Sequence, residues 1–330
     1  MNTKNGTEPV LSVQNVTKTF YRRPSWFSLK QDATTAVNHI SFDLNCGEIL
    51  GFLGVNGSGK TTTIQMLLDV LTPTAGTISY FGKSLTDHRQ EIMQQVTYAT
   101  AYAELIGNMT IGENLAFYGN LYGMEQKFMK ERIEHLIEAF GLVDMRSALA
   151  RELSAGQMTR AMLARAFLPQ PKIILLDEPT ASIDPEGAHV IRNFILRQQQ
   201  EECVSILFTS HNMDEVAEIC DRVLVLQKGT IIAQGTPEEL AARIATSRVW
   251  LIVSHENQTL ERLLSYTRHI GLSTEVTGQT VSLAIGEHEI ARFLHALAEQ
   301  QIHYTNISIE KPRLEDYFLQ VAQTKRSELL

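Results

Sequence analysis

The segment Gly54–Thr61 constrains the fold of this chain more than any other part of its sequence. Its residues, GVNGSGKT, fit the pattern G-x-x-x-x-G-K-[ST]. A short apolar run, Ile49–Leu53, precedes the segment, and apolar residues with helical spacing follow it as far as Pro73. These residues are Ile64, Leu67, Leu68 and Leu71. A buried strand, a glycine-rich turn and an amphipathic helix in this order predict an α/β fold with a central parallel sheet.

The same segment has the composition of a phosphate-binding loop. Its glycines let backbone N–H groups turn inward around a phosphate, and the N-terminus of the following helix adds the positive end of a dipole. Lys60 is expected to reach the β- and γ-phosphates of a nucleotide, and Thr61 to place its hydroxyl on Mg²⁺. The alternative is a glycine-rich turn without a ligand. The residues predicted to bind the nucleotide in this segment are Gly54, Asn56, Gly57, Ser58, Gly59, Lys60, Thr61 and Thr62.

Two acids follow a second buried strand, predicted at residues 173–176. Parallel strands deliver their carboxyl-terminal residues to the same edge of a sheet, so we expect Asp177 and Glu178 to lie beside the glycine-rich segment. Asp177 can hold Mg²⁺ directly or through water, and Glu178 can polarise the attacking water as a general base. Without the glycine-rich segment upstream, a helix cap would explain this pair of acids equally well.

Strands and helices alternate along the first 243 residues, and then the pattern restarts. Strands are predicted at residues 10–20, 36–44, 49–53, 173–176, 204–208, 222–226 and 230–234. Residues 10–20 alternate in the manner of an edge strand and form a hairpin with residues 36–44, while residues of about 102–168 are mostly helical. We therefore assign residues 1–243 to one domain and residues 244–330 to an α+β module with the β-α-β-β-α-β order of a ferredoxin-like fold.

The composition argues against some partners and favours others. The chain carries 29 Lys and Arg against 37 Asp and Glu, a formal net charge of −8, which argues against nucleic acid as the main partner. Its apolar runs are far shorter than the roughly 20 residues of a membrane-spanning helix, so action at a membrane is expected to require a separate membrane protein. Cys46, Cys203 and Cys220 have no metal-ligand spacing and are expected to be free thiols in a reducing compartment.

Two further motifs specify the class of nucleotide-binding protein. Leu153–Gln157, LSAGQ, opens a predicted helix, and Phe208–His211, FTSH, ends a buried strand. The glycine-rich segment, this helix, the acidic strand, Asp184 and the strand-end histidine follow one another as in ATP-binding cassette (ABC) transporter subunits, which residues 10–240 resemble. The resemblance implies a P-loop NTPase cassette with a parallel core sheet, an antiparallel β subdomain and a helical subdomain.

The resemblance also implies an active site shared between two chains. Two cassettes of this family dimerise head to tail around two ATP molecules and their Mg²⁺ ions. The signature residues of one chain then face the γ-phosphate held by Lys60 of the other, and a helix N-terminus suits that anion. These signature residues are Ser154, Gly156 and Gln157. The partner cassette is either a second copy of this chain or a different cassette.

Three more residues receive roles from the resemblance. His211 joins Lys60 and Glu178 in the catalytic set, and it is expected to contact the γ-phosphate and to position Glu178 and the water. Asp184 is expected to communicate between the two sites of the dimer. Phe20 lies where the family stacks an aromatic ring on adenine, and the alternative is a core aromatic at the end of a strand.

The chain departs from the family pattern at two positions. Ala101 stands where the family has a glutamine that approaches Mg²⁺ and the attacking water, in a loop that contacts the membrane subunit. An alanine cannot ligate anything, so a changed rate and a changed coupling to transport are expected. Hydrolysis itself is expected to survive, because Lys60, Asp177, Glu178 and His211 remain. The alternative is that nearby Gln94 or Gln95 takes the place of the missing glutamine. Ala155 replaces the usual first glycine of the signature, while Gly156, which approaches the phosphate more closely, is kept.

The C-terminal sequence indicates the kind of ABC protein. Lys311–Leu319, KPRLEDYFL, is similar to the tail of bacterial subunits that serve exporters of drugs, lipids and polysaccharides. We therefore expect a transport-coupled ATPase on the cytoplasmic face of the inner membrane, working with transmembrane permease subunits. The alternative is a soluble or regulatory ABC ATPase with weakened hydrolysis and a ligand-sensing C-terminal module. An insertion at residues 21–30, with Trp26 and Phe27, suits either a contact with the membrane or the permease or an ordinary solvated loop.

Overall fold

The computed structural model describes residues 9–21, 33–100, 104–181, 183–253 and 258–327, with side chains as far as Val321. These residues form two compact units, one ending at Thr236 and one beginning at Pro237. The boundary precedes the one expected at residues 243–244, because helix α8, Pro237–Ala241, packs against the last helix of the chain, α11, Leu314–Ser327.

The first unit contains an antiparallel sheet with the strand order β2-β1-β4-β5. Its strands are β1 (Leu11–Tyr21), β2 (Ala33–Leu44), β4 (Ala75–Tyr80) and β5 (Lys83–Ser84). The predicted hairpin of β1 and β2 is present. The prediction of β1 as an edge strand is wrong, because β1 pairs with β4 along its other side. Apolar and polar residues alternate along β1 because Leu11 and Val13 are buried on one face of the strand. Such alternation occurs in edge strands and in inner strands alike, so it does not identify an edge.

The second sheet of this unit has the strand order β10-β9-β3-β8-β7-β6. Its strands are β3 (Ile49–Leu53), β6 (Val96–Thr100), β7 (Ile173–Asp177), β8 (Ser205–Thr209), β9 (Arg222–Gln227) and β10 (Thr230–Gly235). Neighbouring strands are parallel, except for the antiparallel hairpin of β9 and β10. Strands β3, β7 and β8 are buried along their full length, as a parallel sheet covered on both faces requires. Their carboxyl ends lie at one edge.

Four helices accompany the parallel sheet. They are α1 (Lys60–Leu67), α2 (Arg89–Met93), α6 (Pro185–Glu202) and α7 (Met213–Ile219). Helix α1 is shorter than the apolar spacing predicts, because the N–H groups of Val70 and Leu71 both donate to the carbonyl of Gln65 and close the helix after Leu67. Leu71 still packs against the core, which explains why the helical spacing continues beyond the helix.

Helices also fill most of the chain between β6 and β7. They are α3 (Ile111–Leu121), α4 (Gln126–Ala139) and α5 (Ala155–Phe167), with short 3-10 turns at Val143–Met145 and Ala150–Glu152. The predicted apolar stripe of α4 is buried and comprises Ile133, Leu136, Ile137 and Phe140. Among the residues that the structure describes, no helix combines the length and the apolar composition needed to cross a bilayer.

One hydrophobic cluster connects the two sheets of the first unit. It contains Leu11 and Phe42 from the antiparallel sheet together with Phe52 and Leu175 from the parallel sheet. The rings of Phe42 and Phe52 meet edge to face at 5.1 Å, a favoured aromatic geometry. The shared core fixes the carboxyl edge of the parallel sheet beside strand β2, where the candidate site lies.

The second unit has a sheet and a core of its own. Its elements are β11 (Thr246–Val253), α9 (Thr259–His269), β12 (Thr274–Thr277), β13 (Thr280–Gly286), α10 (Ile290–Glu299) and β14 (Tyr304–Glu310), followed by α11. The β-α-β-β-α-β order matches the predicted order of elements, and the sheet is antiparallel with the order β12-β13-β11-β14. Leu251, Leu263, Phe293 and Leu297 lie in a hydrophobic cluster separate from that of the first unit.

Candidate functional site

The glycine-rich segment connects the end of β3 to the start of α1, as the sequence predicts. Gly59 is the N-cap of α1 and adopts a φ of +106°, a conformation that L side chains rarely adopt. A Cβ atom on Gly59 would also lie 2.7 Å from the carbonyl oxygen of Ala36 in β2. The loop therefore passes so close to the antiparallel sheet that this position requires glycine.

A cavity of about 360 Å³ opens over this loop. Its walls are formed by Ala36, Asn56, Gly57, Ser58, Gly59, Lys60, Thr61, Thr62, Asp177 and Glu178. The structure thus brings the loop and the two acids of β7 together at the carboxyl edge of the sheet, where the parallel topology places them. Gly54 is buried and does not line the cavity. It takes part in the site through its carbonyl group, which accepts a hydrogen bond from Lys60.

Lys60 is buried at the base of the cavity. Its ammonium Nζ donates a hydrogen bond to the carbonyl oxygen of Gly54 at 2.5 Å. Burial lowers the pKa of Lys60, and the charges of Glu178 and Asp177 oppose that shift. A phosphate group in the cavity would supply the negative charge that a buried ammonium lacks, so the electrostatics of this residue suit an anionic ligand.

Asp177 ends β7 and is buried at the cavity wall. Its Oδ1 accepts a hydrogen bond from the Thr209 hydroxyl at 2.6 Å, and its Oδ2 accepts one from the Tyr98 hydroxyl at 3.4 Å. Burial raises the pKa of Tyr98, so this phenol keeps the proton that it donates. Sequence reasoning missed Thr209 and Tyr98. For Thr209 the signal was a polar residue at the end of an apolar strand, whereas the strand of Tyr98 was not predicted.

Thr61 and Asp177 line the same cavity and offer hydroxyl and carboxylate oxygens. Oxygen ligands of this kind fit Mg²⁺, which keeps several waters and takes further ligands from phosphate groups. The described part of the chain holds no cluster of three or more His, Cys, Asp and Glu side chains that could bind a metal ion. This donor set therefore fits a magnesium ion that arrives with a nucleotide.

Glu178, which lines the cavity, is paired with His211, which does not line it. The backbone N–H of Glu178 donates to the carbonyl and the hydroxyl oxygens of Thr209, both at 3.1 Å. Its carboxylate is hydrogen-bonded to Nδ1 of His211, whose ring is 70% exposed. The histidine after β8 thus holds the glutamate after β7, and its own ring remains exposed to solvent.

The signature residues lie at the start of α5 and do not line the cavity. Ser154 and Gln157 form a capping box, in which Gln157 N–H donates to Ser154 Oγ at 3.3 Å and Ser154 N–H donates to Gln157 Oε1 at 2.9 Å. Ser154 is exposed, and Gly156 is half-buried. The positive end of this helix dipole is therefore accessible from outside the chain.

Asp184 and Phe20 lie outside the cavity wall as well. Asp184 caps α6, because its Oδ1 accepts a hydrogen bond from Gly187 N–H at 2.9 Å, and this bond lowers the pKa of Asp184. Phe20 lies on β1 opposite Thr34 of β2, the strand that also supplies Ala36 to the cavity. Its side chain is 44% exposed, so the alternative of a core aromatic is wrong.

The alternative that Gln94 or Gln95 takes over the role of the glutamine missing at position 101 is also wrong. Gln95 lies just before β6, where its carbonyl accepts from Ile173 N–H and its side chain donates to the carbonyl of Glu91. Thr100, at the other end of β6, is the residue that pairs with Asp177. Gln94 and Gln95 are therefore separated from the cavity by a whole strand, about 16 Å. Ala101 itself lies outside the described residues, as do Trp26 and Phe27.

A parallel sheet whose carboxyl edge joins a glycine-rich loop, a buried lysine and two strand-end acids defines a P-loop nucleotide-binding protein. A family model described as ABC transporter matches residues 37–181. The Nod factor export ATP-binding protein I of Burkholderia lata is 34% identical over 261 residues, which cover 78% of this chain and 83% of the relative. The chain belongs to the ATP-binding proteins of ABC transporters, a family of ATPases.

A further relative agrees with this family, and a solved structure agrees with the cassette fold. A probable multidrug ABC transporter ATP-binding protein of Escherichia coli K12, YbhF, is 38% identical over 212 residues, which cover 64% of this chain but only 36% of the relative. A cassette solved as a dimer in a post-hydrolysis state with ADP and phosphate has a TM-score of 0.60, with 21% identity over 68% of this chain and 98% of that one. The predicted cassette fold and the predicted ATPase class are confirmed.

Proposed function

We propose that this chain binds and hydrolyses ATP as one half of a cassette dimer and powers export through a separate transmembrane permease. The observation that carries the proposal is the cavity whose lining includes Lys60, Asp177 and Glu178. A triphosphate fits this cavity because backbone N–H groups, a buried ammonium and a helix N-terminus converge on it. The loop, the acids and His211 are then the nucleotide-binding and catalytic residues.

Hydrolysis follows from the position of Glu178 at the end of β7. A water beside this carboxylate gives it a proton while the water oxygen bonds to the γ-phosphorus. The bond between that phosphorus and the oxygen bridging to the β-phosphate breaks, which leaves ADP and phosphate. Lys60 stabilises charge on the phosphate oxygens, and His211 keeps the Glu178 carboxylate in place through their hydrogen bond. Mg²⁺ held by Thr61 and Asp177 would neutralise further charge.

The dimer supplies what the cavity of one chain lacks. Ser154 and Gly156 stand at an accessible helix N-terminus and do not line the cavity of their own chain, which supports contact with a γ-phosphate held by another chain. The capping box of Ser154 and Gln157 orders this terminus for an anion. Phe20, exposed beside the strand of Ala36, suits the adenine ring, and Asp184 suits contact between the two sites. The partner cassette is a copy of this chain or a related one.

Export and a permease partner are proposed from the relatives and the C-terminal sequence. Proteins named for Nod factor export and multidrug transport are among the relatives of this chain. The tail Lys311–Leu319 is similar to that of exporter subunits and enters α11. The C-terminal residues from about 244 form a ferredoxin-like module in this proposal, supported by their element order and antiparallel strand order. The chain would then act at the cytoplasmic face of the inner membrane.

A comparison of ATP turnover tests the catalytic part of the proposal. Glu178→Gln is expected to lower turnover about 100-fold or more, because the amide cannot take the proton of the water. The exposed Glu201→Gln variant is the matched control. With ATP and Mg²⁺, Glu178→Gln should also elute from gel filtration at the mass of a dimer. If the wild-type chain showed no ATP turnover in the presence of its membrane partner, the proposal of a transport ATPase would be contradicted. The regulatory ABC protein would then be the better interpretation.

A further inference from the structure

Glu215 is a buried carboxylate that the catalytic assignment leaves unused. It lies in the first turn of α7, 3% exposed. Asn212 caps this helix, and its Oδ1 accepts hydrogen bonds from the N–H groups of Asp214 and Glu215. The cap sets the direction of the Glu215 side chain as α7 leaves the segment that contains His211. A buried acid needs a structural reason, because burial of a carboxylate costs free energy unless it is hydrogen-bonded.

One oxygen of Glu215 joins the two segments that carry the catalytic side chains. Its Oε2 accepts a hydrogen bond from the Thr180 hydroxyl at 2.9 Å and another from the Ser210 hydroxyl at 2.8 Å. Thr180 lies two residues after Glu178, and Ser210 immediately precedes His211. Ser210 Oγ also accepts from Asn212 N–H at 3.0 Å, which orients the hydroxyl toward the carboxylate.

The second oxygen of Glu215 argues against an ion pair as the main role. Glu215 Oε1 is buried and has no hydrogen-bond partner among the residues that the structure describes. Arg192 Nη1 lies 3.9 Å from Glu215 Oε1, beyond hydrogen-bond distance, while Arg192 Nε lies 2.9 Å from the exposed Glu218. Among the described residues, the hydrogen bonds of the Glu215 carboxylate are therefore those from the two hydroxyls of the catalytic segments.

We propose that Glu215 is a positioning residue that fixes Glu178 and His211 relative to each other. The two segments are joined at Thr209, which binds Glu178 N–H, and at the hydrogen bond between Glu178 and His211. Glu215 is the third junction, and it does not line the cavity. The proposal rests on the ATP hydrolysis proposed above, since it assigns a residue that acts through Glu178 and His211.

Truncation and conservative replacement of Glu215 test this role in ATP turnover. Glu215→Ala removes the acceptor of both hydroxyls and is expected to lower kcat about 10- to 100-fold, because misplacement of catalytic groups by an ångström has effects of that size. The KM for ATP and the binding of a fluorescent ATP analogue should change less than about twofold. Glu215→Gln keeps one acceptor oxygen and should restore most of kcat. Glu218→Gln, on the same helix, is the control and should match the wild type.

Removal of one hydroxyl tests the connection without touching Glu215. Thr180→Val should lower kcat, and Thr180→Ser should not. In the Glu215→Ala background, Thr180→Val should add no further loss, because the two residues act through one hydrogen bond. Losses that add independently, or a Glu215→Gln variant as impaired as Glu215→Ala, would overturn the proposal.

Hydrogen exchange gives a readout that does not depend on hydrolysis. In Glu215→Ala, amides of residues 178–181 and 208–212 should exchange faster than in the wild type, while those of α4 remain unchanged. Unchanged exchange in both segments would overturn the positioning role even if turnover fell. If the wild type showed no ATP turnover but Glu215→Ala still exchanged faster in both segments, the proposed function would be contradicted. The role of Glu215 in joining the two segments would remain supported.

Discussion

Thr209 determines the positions of both acids at the carboxyl edge of the sheet. Its hydroxyl donates to Asp177 and accepts from the N–H of Glu178. Glu178 has a φ of +55°, in the left-handed region, where a residue other than glycine costs about 1–3 kcal/mol. The two hydrogen bonds to Thr209 hold the chain in this conformation. Asp177 is the last residue of β7 and Glu178 has left the strand conformation, so the two neighbouring carboxylates have different partners, Thr209 and His211.

Two glycines of the phosphate-binding loop give a matched test of close packing. Gly57 and Gly59 both have positive φ values, +79° and +106°. A Cβ on Gly57 would meet no atom within 4 Å, whereas one on Gly59 would lie 2.7 Å from the Ala36 carbonyl oxygen. Gly57→Ala should therefore cost about 1–2 kcal/mol of unfolding free energy, and Gly59→Ala about 1–3 kcal/mol more. Denaturant unfolding measures both, and equal losses would contradict the contact with β2.

At this scale, the sequence reveals the residues in contiguous motifs but not their partners. Lys60, Asp177, Glu178 and His211 were predictable because each ends or follows a recognisable strand or loop. Thr209, Tyr98 and Glu215 were not assigned, because their roles depend on the register between strands that are distant in sequence. The pairing of Asp177 with both Thr100 and Thr209 exists only after β6, β7 and β8 align.

Helix α6 connects the acidic strand to the helical part of the cassette. It begins at the cap formed by Asp184 and packs the ring of Phe194 against Phe140 and Phe167, at 4.4 and 5.0 Å between centroids. These two rings come from the ends of α4 and α5. A helix that starts a few residues after Glu178 thus carries the position of the active-site segment into the part of the chain that holds the signature.

The charge of the Asp184 carboxylate, which caps α6, should make the free energy of unfolding depend on pH. The hydrogen bond from Gly187 N–H lowers the pKa of Asp184 from its ordinary value of 3.8. A carboxyl with a lowered folded pKa stabilises the fold fully above the unfolded value and loses that contribution as pH falls through the folded value. The difference in unfolding free energy between wild type and Asp184→Ala should therefore be largest above pH 4 and shrink at lower pH.

Urea unfolding across this pH range measures the difference, with the exposed Glu186→Gln variant in the same helical turn as the control. Glu186 does not accept the capping bond, so its replacement should leave the acid profile close to that of the wild type. A difference for Asp184→Ala that stays constant from neutral to acid pH would show that the carboxylate charge contributes nothing to the cap.

The elements that the sequence predicted best are those buried on both faces. Strands β3, β7 and β8 appear as apolar runs because both faces pack against other layers. Strand β6 was missed, because its sequence, Val96–Thr100, mixes threonines and a tyrosine with apolar residues. Tyr98 donates a hydrogen bond to Asp177, so this polar residue of the strand serves the site.

Each compact unit has a hydrophobic cluster of its own among the residues that the structure describes. The first core supports the nucleotide cavity through β3, β7 and β8. The second is built around β11, β13, α9 and α10, with Leu251 and Leu297 fully buried. Separate cores predict that a defect in the second core leaves the walls of the nucleotide cavity intact.

A cavity-forming substitution in α10 tests this separation. Leu297→Ala should lower the unfolding free energy of the second unit by about 2–5 kcal/mol, while the affinity for a fluorescent ATP analogue stays unchanged. Trp250 in β11 reports unfolding of this unit by fluorescence once the other tryptophan, Trp26, is replaced by Phe. Leu319→Ala, at a residue 48% exposed, is the control and should change stability by less than about 0.5 kcal/mol. A loss of ATP affinity in Leu297→Ala would contradict two independent cores.

The three free cysteines make the unmodified chain suitable for spectroscopic labelling. Cys220 is buried, and burial raises the pKa of its thiol, so it should react slowly with maleimides. Cys46 and Cys203 are exposed and lie just before β3 and β8, at the edge of the sheet opposite the nucleotide cavity. Dyes at these thiols would sit behind the site and report the approach of a second cassette by energy transfer, with the catalytic residues left as they are.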